Sequence, residues 1–206
     1  MLENKLGINN EIELAKEEER ITKLKALELF DTNKINEFEV ETTKGLCEIH
    51  KFLFSDIYLF AGKIREVNLS KGNFRFASSI YLKDVLSKID SMKEDTFEDI
   101  IKKYVEMNVA HPFREGNGRS TRIWLDMILK TRISKVVDWS KINKEEYLLA
   151  MERSPIKDTE IKLLLKEALT DKINDRTLYM KGIDVSYKYE GYNVYTMNEL
   201  DKTRES

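Results

Sequence analysis

The stretch RIWLDMILK, residues 122–130, sets Ile123, Trp124, Leu125, Met127, Ile128 and Leu129 around nearly the whole circumference of a helix. A helix that is apolar all round must run through the middle of a fold with other elements packed against every side. The rest of the chain can supply such a cover. Its 206 residues include only eight glycines and two prolines, and good helix formers fill the intervals between them. Apolar spacing predicts helices over about 12–30, 42–56, 81–90, 97–110, 118–133, 144–153 and 158–169. Thr96 with Asp99, and Asn143 with Glu146, have the spacing of helix-initiating caps. Phe97, Ile100, Ile101, Tyr104 and Asn108 share one stripe, the face expected against the core. No repeat, linker or shift of composition divides the chain. The expected architecture is mainly α, a single domain over residues 1–206.

Charge and cysteine content narrow the function classes. With 35 Lys+Arg against 37 Asp+Glu the formal net charge is only -2, which argues against direct nucleic-acid binding. Cys47 is the single cysteine and His50 and His111 are the two histidines, so neither an internal disulfide nor a Cys/His metal cluster is expected. Cys47 and His50 fall in a predicted helix and read as packing residues. No apolar run reaches membrane-spanning length, and the start MLENKLGINNEIEL has no signal-peptide pattern. The expectation is a cytoplasmic protein without membrane association.

One segment departs from helical spacing. IREVNLSKGNFRFAS, residues 64–78, places Ile64, Val67 and Leu69 before SKGN and Phe74 and Phe76 after it, the pattern of a short β-hairpin. On this pattern alone, a surface excursion held by its phenylalanines and a functional flap both remain open.

The chemistry concentrates at residues 111–122, HPFREGNGRSTR. Pro112 biases His111 away from helical geometry, which predicts that the preceding helix ends there. The glycines that follow allow backbone N–H groups to converge where the buried helix begins, and a helix N-terminus is a ready site for phosphate. Arg119 and Arg122, three apart, reach toward one face and suit a polyphosphate. Glu115 fits beside phosphates if it holds Mg²⁺, which takes one or two protein carboxylates plus phosphate oxygens. His111 titrates near neutrality and can remove a proton from an incoming hydroxyl. Taken singly, each element is an ordinary turn, cap or solvated charge. The spacing also excludes a Walker loop, since GNGR lacks the required lysine.

The ordered set resembles the signature of the Fic family, His-x-Phe-x-Asp/Glu-Gly-Asn-Gly-Arg-x-x-Arg, and matches it at every fixed position. The similarity extends from about residue 55 to about 151, within a core of about 40–155, while residues 1–40 add little beyond being helical. The resemblance implies a Fic-type helical domain with a β-hairpin flap, transferring AMP from ATP to a Tyr, Ser or Thr hydroxyl of a target protein with Mg²⁺. By that motif, His111 would be the base, Glu115 the metal ligand and Asn117 a contact to the α-phosphate. Gly116 and Gly118 would shape the anion hole, Arg119 would contact the phosphate chain, Arg122 would hold the γ-phosphate and Phe113 would anchor the loop. Lys63, Ile64, Asn73, Phe74 and Phe76 would belong to a flap that docks the target by strand addition.

A second motif lies near the C-terminus. SYKYEGYN, residues 186–193, presents Ser186, Glu190 and Gly191 as Ser-x-x-x-Glu-Gly. Read alone, it is a helix capped by serine at its start and glycine at its end. It also resembles the family's inhibitory helix, here about 184–192, whose glutamate would form a bidentate pair with Arg122 in place of the γ-phosphate. Tyr187, on the same helix, is a candidate for self-modification. Two alternatives stay open: transfer of another phosphate-bearing group or removal of AMP on the same fold, and a non-catalytic ATP-binding module. The sequence does not specify the target. DNA topoisomerase subunits are an expectation from relatives only, homo-oligomerisation stays open, and the chain beyond residue 192 has no clear pattern.

Overall fold

In the computed structural model, which describes residues 2–72 and 74–204, helices dominate. In chain order the elements are α1 (Glu11–Asp31), α2 (Thr43–Phe54), β1 (Ser70–Lys71), β2 (Phe74–Arg75), α3 (Leu82–Asp90), α4 (Phe97–Ala110) and α5 (Asn117–Ile133). They continue as β3 (Val136–Val137), α6 (Lys144–Arg153), α7 (Thr159–Glu167), β4 (Leu169–Thr170), α8 (Arg176–Tyr189) and α9 (Met197–Arg204).

The apolar circumference of α5 has the predicted consequence. Trp124, Leu125, Ile128 and Leu129 are fully buried, and α2, α4 and α8 pack around the helix. Asp126 is the one carboxylate within that apolar stretch. It accepts hydrogen bonds from the Val137 N–H and the Trp139 Nε1–H, both at 2.8 Å, and so ties the chain that leaves α5 back onto the helix. Burial pushes its carboxyl up to about 7 against those two bonds. Both predicted caps form. Thr96 and Asp99 make a reciprocal capping box at the start of α4, and Asn143 accepts from the N–H groups of Glu145 and Glu146.

The described residues correct four expectations. The hairpin over 64–78 contracts to two residues per strand, with Ser70 opposite Arg75 and Lys71 opposite Phe74; beyond the Phe76 N–H bond to the Leu69 carbonyl at 3.2 Å the arms turn to α4 and its loop, Arg65 N–H bonding the Pro112 carbonyl at 2.8 Å and Ala77 N–H the Val109 carbonyl at 3.0 Å. A second small antiparallel pair, β3 with β4, was not legible in two-residue runs. The C-terminal helix is longer than 184–192: α8 runs from Arg176 to Tyr189, so Ser186 lies inside it and caps nothing, while Glu190 is its C-cap and Gly191 follows at φ +92°. Finally, α1 is not peripheral. It packs on α2, α8 and α9, and its buried Lys23 pairs with Glu19 at 3.1 Å and Asp184 at 2.9 Å. No helix of the described residues is long and apolar enough to cross a membrane.

Candidate active site at the start of α5

The loop between α4 and α5 is shaped by its own residues. His111 caps α4 in the left-handed region, at φ 49° and ψ 62°, and its N–H bonds the Met107 carbonyl at 3.0 Å. A non-glycine residue there is uncommon, and Pro112 helps to impose the departure from the helix. Phe113 is fully buried, its ring 3.8 Å from that of His50. Asn117, the first residue of α5, returns to Phe113 with both ends of its amide, accepting from the N–H and donating to the carbonyl at 2.8 Å each. One Nδ2 hydrogen remains for another acceptor. Gly116 sits at φ +73°, and a Cβ there would lie 2.3 Å from the Phe54 ring, so both conformation and space demand glycine.

His50 and Arg65 support this loop from outside, and the sequence analysis assigned neither to the site. His50 Nδ1 accepts the Gly62 N–H at 2.8 Å while Nε2 lies 2.9 Å from the Glu115 carbonyl. An amide N–H can only donate and a carbonyl can only accept, so the proton must reside on Nε2. Burial drives its pKa down to about 3, with Arg119 acting in the same direction and the Glu115 bond opposing. His50 therefore stays neutral and acts as a fixed strut. The reading of His50 as a packing residue holds but is incomplete. A histidine one turn before the end of an amphipathic helix carries no signal of what its nitrogens meet. The signal for Arg65 was its parity: it shares a side with Val67 and Leu69 in an alternating run, where an apolar residue is expected.

Opposite the struts lies a cluster of charge. Arg122 donates from Nε to Ser186 Oγ at 2.7 Å and from Nη2 to the Ser186 carbonyl at 2.9 Å and to Glu190 Oε1 at 2.6 Å. The other Glu190 oxygen lies 3.3 Å from Arg119 Nε. The carboxylate thus bridges two arginines, which corrects the expected bidentate pair with Arg122 alone: Ser186 already occupies the Arg122 Nε that a two-pronged contact would use. Arg119, fully buried, also meets Glu18 at 2.7 Å and Glu115 at 3.1 Å through Nη2. Its Nη1 has no hydrogen-bond partner among the described residues. Phe54, Tyr187 and Tyr192 rings surround its guanidinium at 4.5–5.3 Å. Glu18, from α1, is a site residue that the sequence reading missed, and the Tyr58 and Tyr192 hydroxyls donate to it. Burial works against the charge on Glu190, but Arg122 and Arg119 outweigh it and hold the carboxyl below its usual range. The carboxylate stands over Gly118, where a Cβ would come within 2.0 Å of Glu190 Oε1.

The His111 ring stacks on Phe76 at 3.7 Å, and Phe74 meets Phe76 edge-on at 5.2 Å. Burial lowers the His111 pKa to about 4; Glu190 opposes this while Arg65 and Lys71 add to it, so the imidazole is neutral at pH 7. Glu115 Oε1 accepts from Gly116 N–H at 2.9 Å, and its carboxyl is raised by burial against the pull of Arg119. The described residues hold no cluster of three or more His, Cys, Asp or Glu that could hold a metal. One carboxylate at the mouth of an anion site suits Mg²⁺ carried largely by phosphate oxygens, and does not suit a protein cage. Of the flap residues, Lys63 is exposed, Ile64 is half-buried against the core, Phe76 stacks on His111 with Phe74 behind it, and Asn73 lies outside the described residues. Tyr187 is buried beneath Arg119 and Lys23, so its modification would require α8 to open.

Sequence and fold are similar to those of known proteins. Residues 41–129 match the model of the Fic/DOC family. The chain is 28% identical over 216 residues to the protein adenylyltransferase VbhT of Bartonella schoenbuchensis, covering 93% of this chain and 44% of VbhT, so it spans less than half of that relative. It is 27% identical to the probable protein adenylyltransferase Fic of Salmonella typhimurium, covering 83% of this chain and 88% of that one. Among solved structures, BepC of Bartonella tribocorum with bound AMPPNP superposes with a TM-score of 0.67 at 20% identity, covering 82% of this chain and 92% of BepC. The type IV secretion system effector BepA superposes with a TM-score of 0.67 at 22% identity, covering 94% and 73%. The signature is complete between α4 and α5, within the residues that match the Fic/DOC family, and the fold is shared with these structures.

Proposed function

We propose that this protein transfers AMP from ATP to a Tyr, Ser or Thr hydroxyl of a target protein, and that the conformation described here is held inactive by Glu190. The observation that carries the reading is the carboxylate bridging Arg122 and Arg119 above Gly118. A site that binds one anion so specifically, with a buried arginine N–H still unpartnered, is built for a polyanion. In the reaction, neutral His111 takes the proton from the target hydroxyl as its oxygen bonds the α-phosphorus. The bond from that phosphorus to the bridging oxygen breaks, and pyrophosphate leaves. Asn117 and the Gly116–Gly118 turn position the α-phosphate, Arg119 the phosphate chain, and Arg122 the γ-phosphate once Glu190 withdraws. Mg²⁺ held by Glu115 would neutralise charge on the phosphates during the transfer. The hairpin, with Phe76 beside the base and Phe74 against Phe76, holds the target segment. Relatives described as adenylyltransferases support the reading.

The test is a labelling gel with a cell lysate and Mg²⁺, using ATP labelled on the α- or the γ-phosphate. A resting bias of about 2 to 3 kcal/mol toward the blocked state predicts that Glu190→Gly raises labelling roughly 30- to 150-fold. His111→Ala in that background should abolish labelling while retaining ATP binding, and EDTA should suppress it. Label arriving from the γ-phosphate would indicate a different transfer. ATP binding without any labelling would return the chain to the status of a binding module.

A further inference from the structure

Four main-chain carbonyls converge on one buried side chain away from the phosphate contacts. Arg65 is 3% exposed. Its Nε donates to the His111 carbonyl at 2.7 Å, Nη1 to the Val67 carbonyl at 2.6 Å, and Nη2 to the Ala77 carbonyl at 2.6 Å and the Ala110 carbonyl at 3.0 Å. Its own N–H bonds the Pro112 carbonyl at 2.8 Å, and Ala77 N–H bonds the Val109 carbonyl at 3.0 Å. Val67 and Ala77 bracket the hairpin; Ala110 and His111 form the end of α4. One guanidinium therefore fastens both roots of the flap to the residue that carries the base. We propose that Arg65 is a positioning residue that makes the flap and His111 a single unit, so that the target held by the flap and the imidazole that deprotonates it keep one geometry.

Only arginine can do this. Five N–H donors in a planar fork reach four carbonyls at once, whereas a lysine ammonium is a single point with three donors. The need is specific, because His111 adopts a left-handed conformation that its backbone does not favour, and a bond to its own carbonyl opposes relaxation. The Phe76 ring stacked on the imidazole makes the second contact between flap and base. Arg65 holds it in register, since Phe76 adjoins Ala77. A displacement of the base by about 1 Å relative to the target can cost on the order of 100-fold in rate without touching ATP binding.

This inference rests on the AMP-transfer reading for its kinetic half but not for its structural half, and the test separates them. In the full chain carrying Glu190→Gly, Arg65→Lys should lower kcat for the target about 10- to 100-fold while the KM for ATP changes by less than about 3-fold. In parallel, amide hydrogen exchange should quicken together at Ala77 and at His111, with α5 and α8 unchanged. If Arg65→Lys does not fold, Arg65→Gln, with a planar amide that can hold one donor pair, is measured in the same two ways. Unchanged kcat overturns the positioning role. Exchange that quickens at the flap alone, or at His111 alone, overturns the coupling. A Glu190→Gly parent that transfers no AMP overturns the functional reading, and the exchange result then decides the clasp by itself.

Discussion

The two flanks of the α4–α5 loop are held by different physics. On one flank, His50, Arg65 and Asn117 grip main-chain atoms of residues 110–115 through hydrogen bonds of 2.7–3.0 Å. On the other, Arg119 and Arg122 meet Glu18, Glu115 and Glu190 as ions. Bonds to carbonyls inside a packed core have no competitor and keep the same partners through a reaction cycle. A carboxylate resting on arginines can be exchanged for a phosphate, since both present oxygens in a geometry the guanidinium accepts. On the proposed function, the rigid flank fixes where the base stands, and the exchangeable flank decides whether ATP can enter.

Breaking the rigid flank should give the largest stability effect. His50→Ala removes a buried ring stacked on Phe113 and Phe54 and leaves the Gly62 N–H and the Glu115 carbonyl unpaired. A loss of about 2 to 4 kcal/mol is expected in urea unfolding. The pH dependence sharpens the point. The folded pKa of His50 lies near 3 and the unfolded value near 6.5, so below pH 6.5 only the unfolded chain takes the proton. The stability gained from keeping His50 neutral is therefore complete above pH 6.5 and drains as pH falls toward 3, by about 1.4 kcal/mol per pH unit. His50→Gln, which can keep both hydrogen bonds, should flatten the urea midpoint between pH 6 and 5 relative to wild type. An identical slope in the two proteins would mean that His50 takes up its proton in the folded chain as readily as in the unfolded one. Thr96→Ala, remote from both flanks, should cost only about 1 kcal/mol through its lost cap and leave ATP binding unchanged, which makes it the baseline for the comparison.

The difference between the flanks also explains what the sequence made legible. The exchangeable flank depends on residue types at fixed spacings along one turn, Arg119 and Arg122 after Gly116 and Gly118, and local spacing is what a sequence displays. Ser186 and Glu190 were visible for the same reason, although the helix that carries them starts well before the motif. The rigid flank depends on residues 46 and 65 positions apart, Arg65 on His111 and His50 on Glu115, and nothing local announces such a meeting. Glu18 was hidden further still: within AKEEERITKLK it reads as one solvated charge among many, and only the packing of α1 against α2 and α8 turns it inward. The helices were readable from apolar spacing and the hairpin from the residues around SKGN, though not its two-residue extent, while β3 and β4, shorter than any alternation can register, were not.

The central claim is that Glu190 stands where the γ-phosphate belongs, and calorimetric titration with ATP and ADP in Mg²⁺ tests it most directly. ADP has no γ-phosphate, so Arg122 can reward ATP over ADP only after Glu190 has gone. Wild type should bind the two nucleotides with nearly equal affinity, whereas Glu190→Gly should bind ATP roughly 10-fold or more tighter than ADP, the gain of one or two charge-assisted hydrogen bonds. The same ATP-to-ADP ratio in both proteins would contradict it, because Glu190 would then be a helix cap that happens to lie beside two arginines.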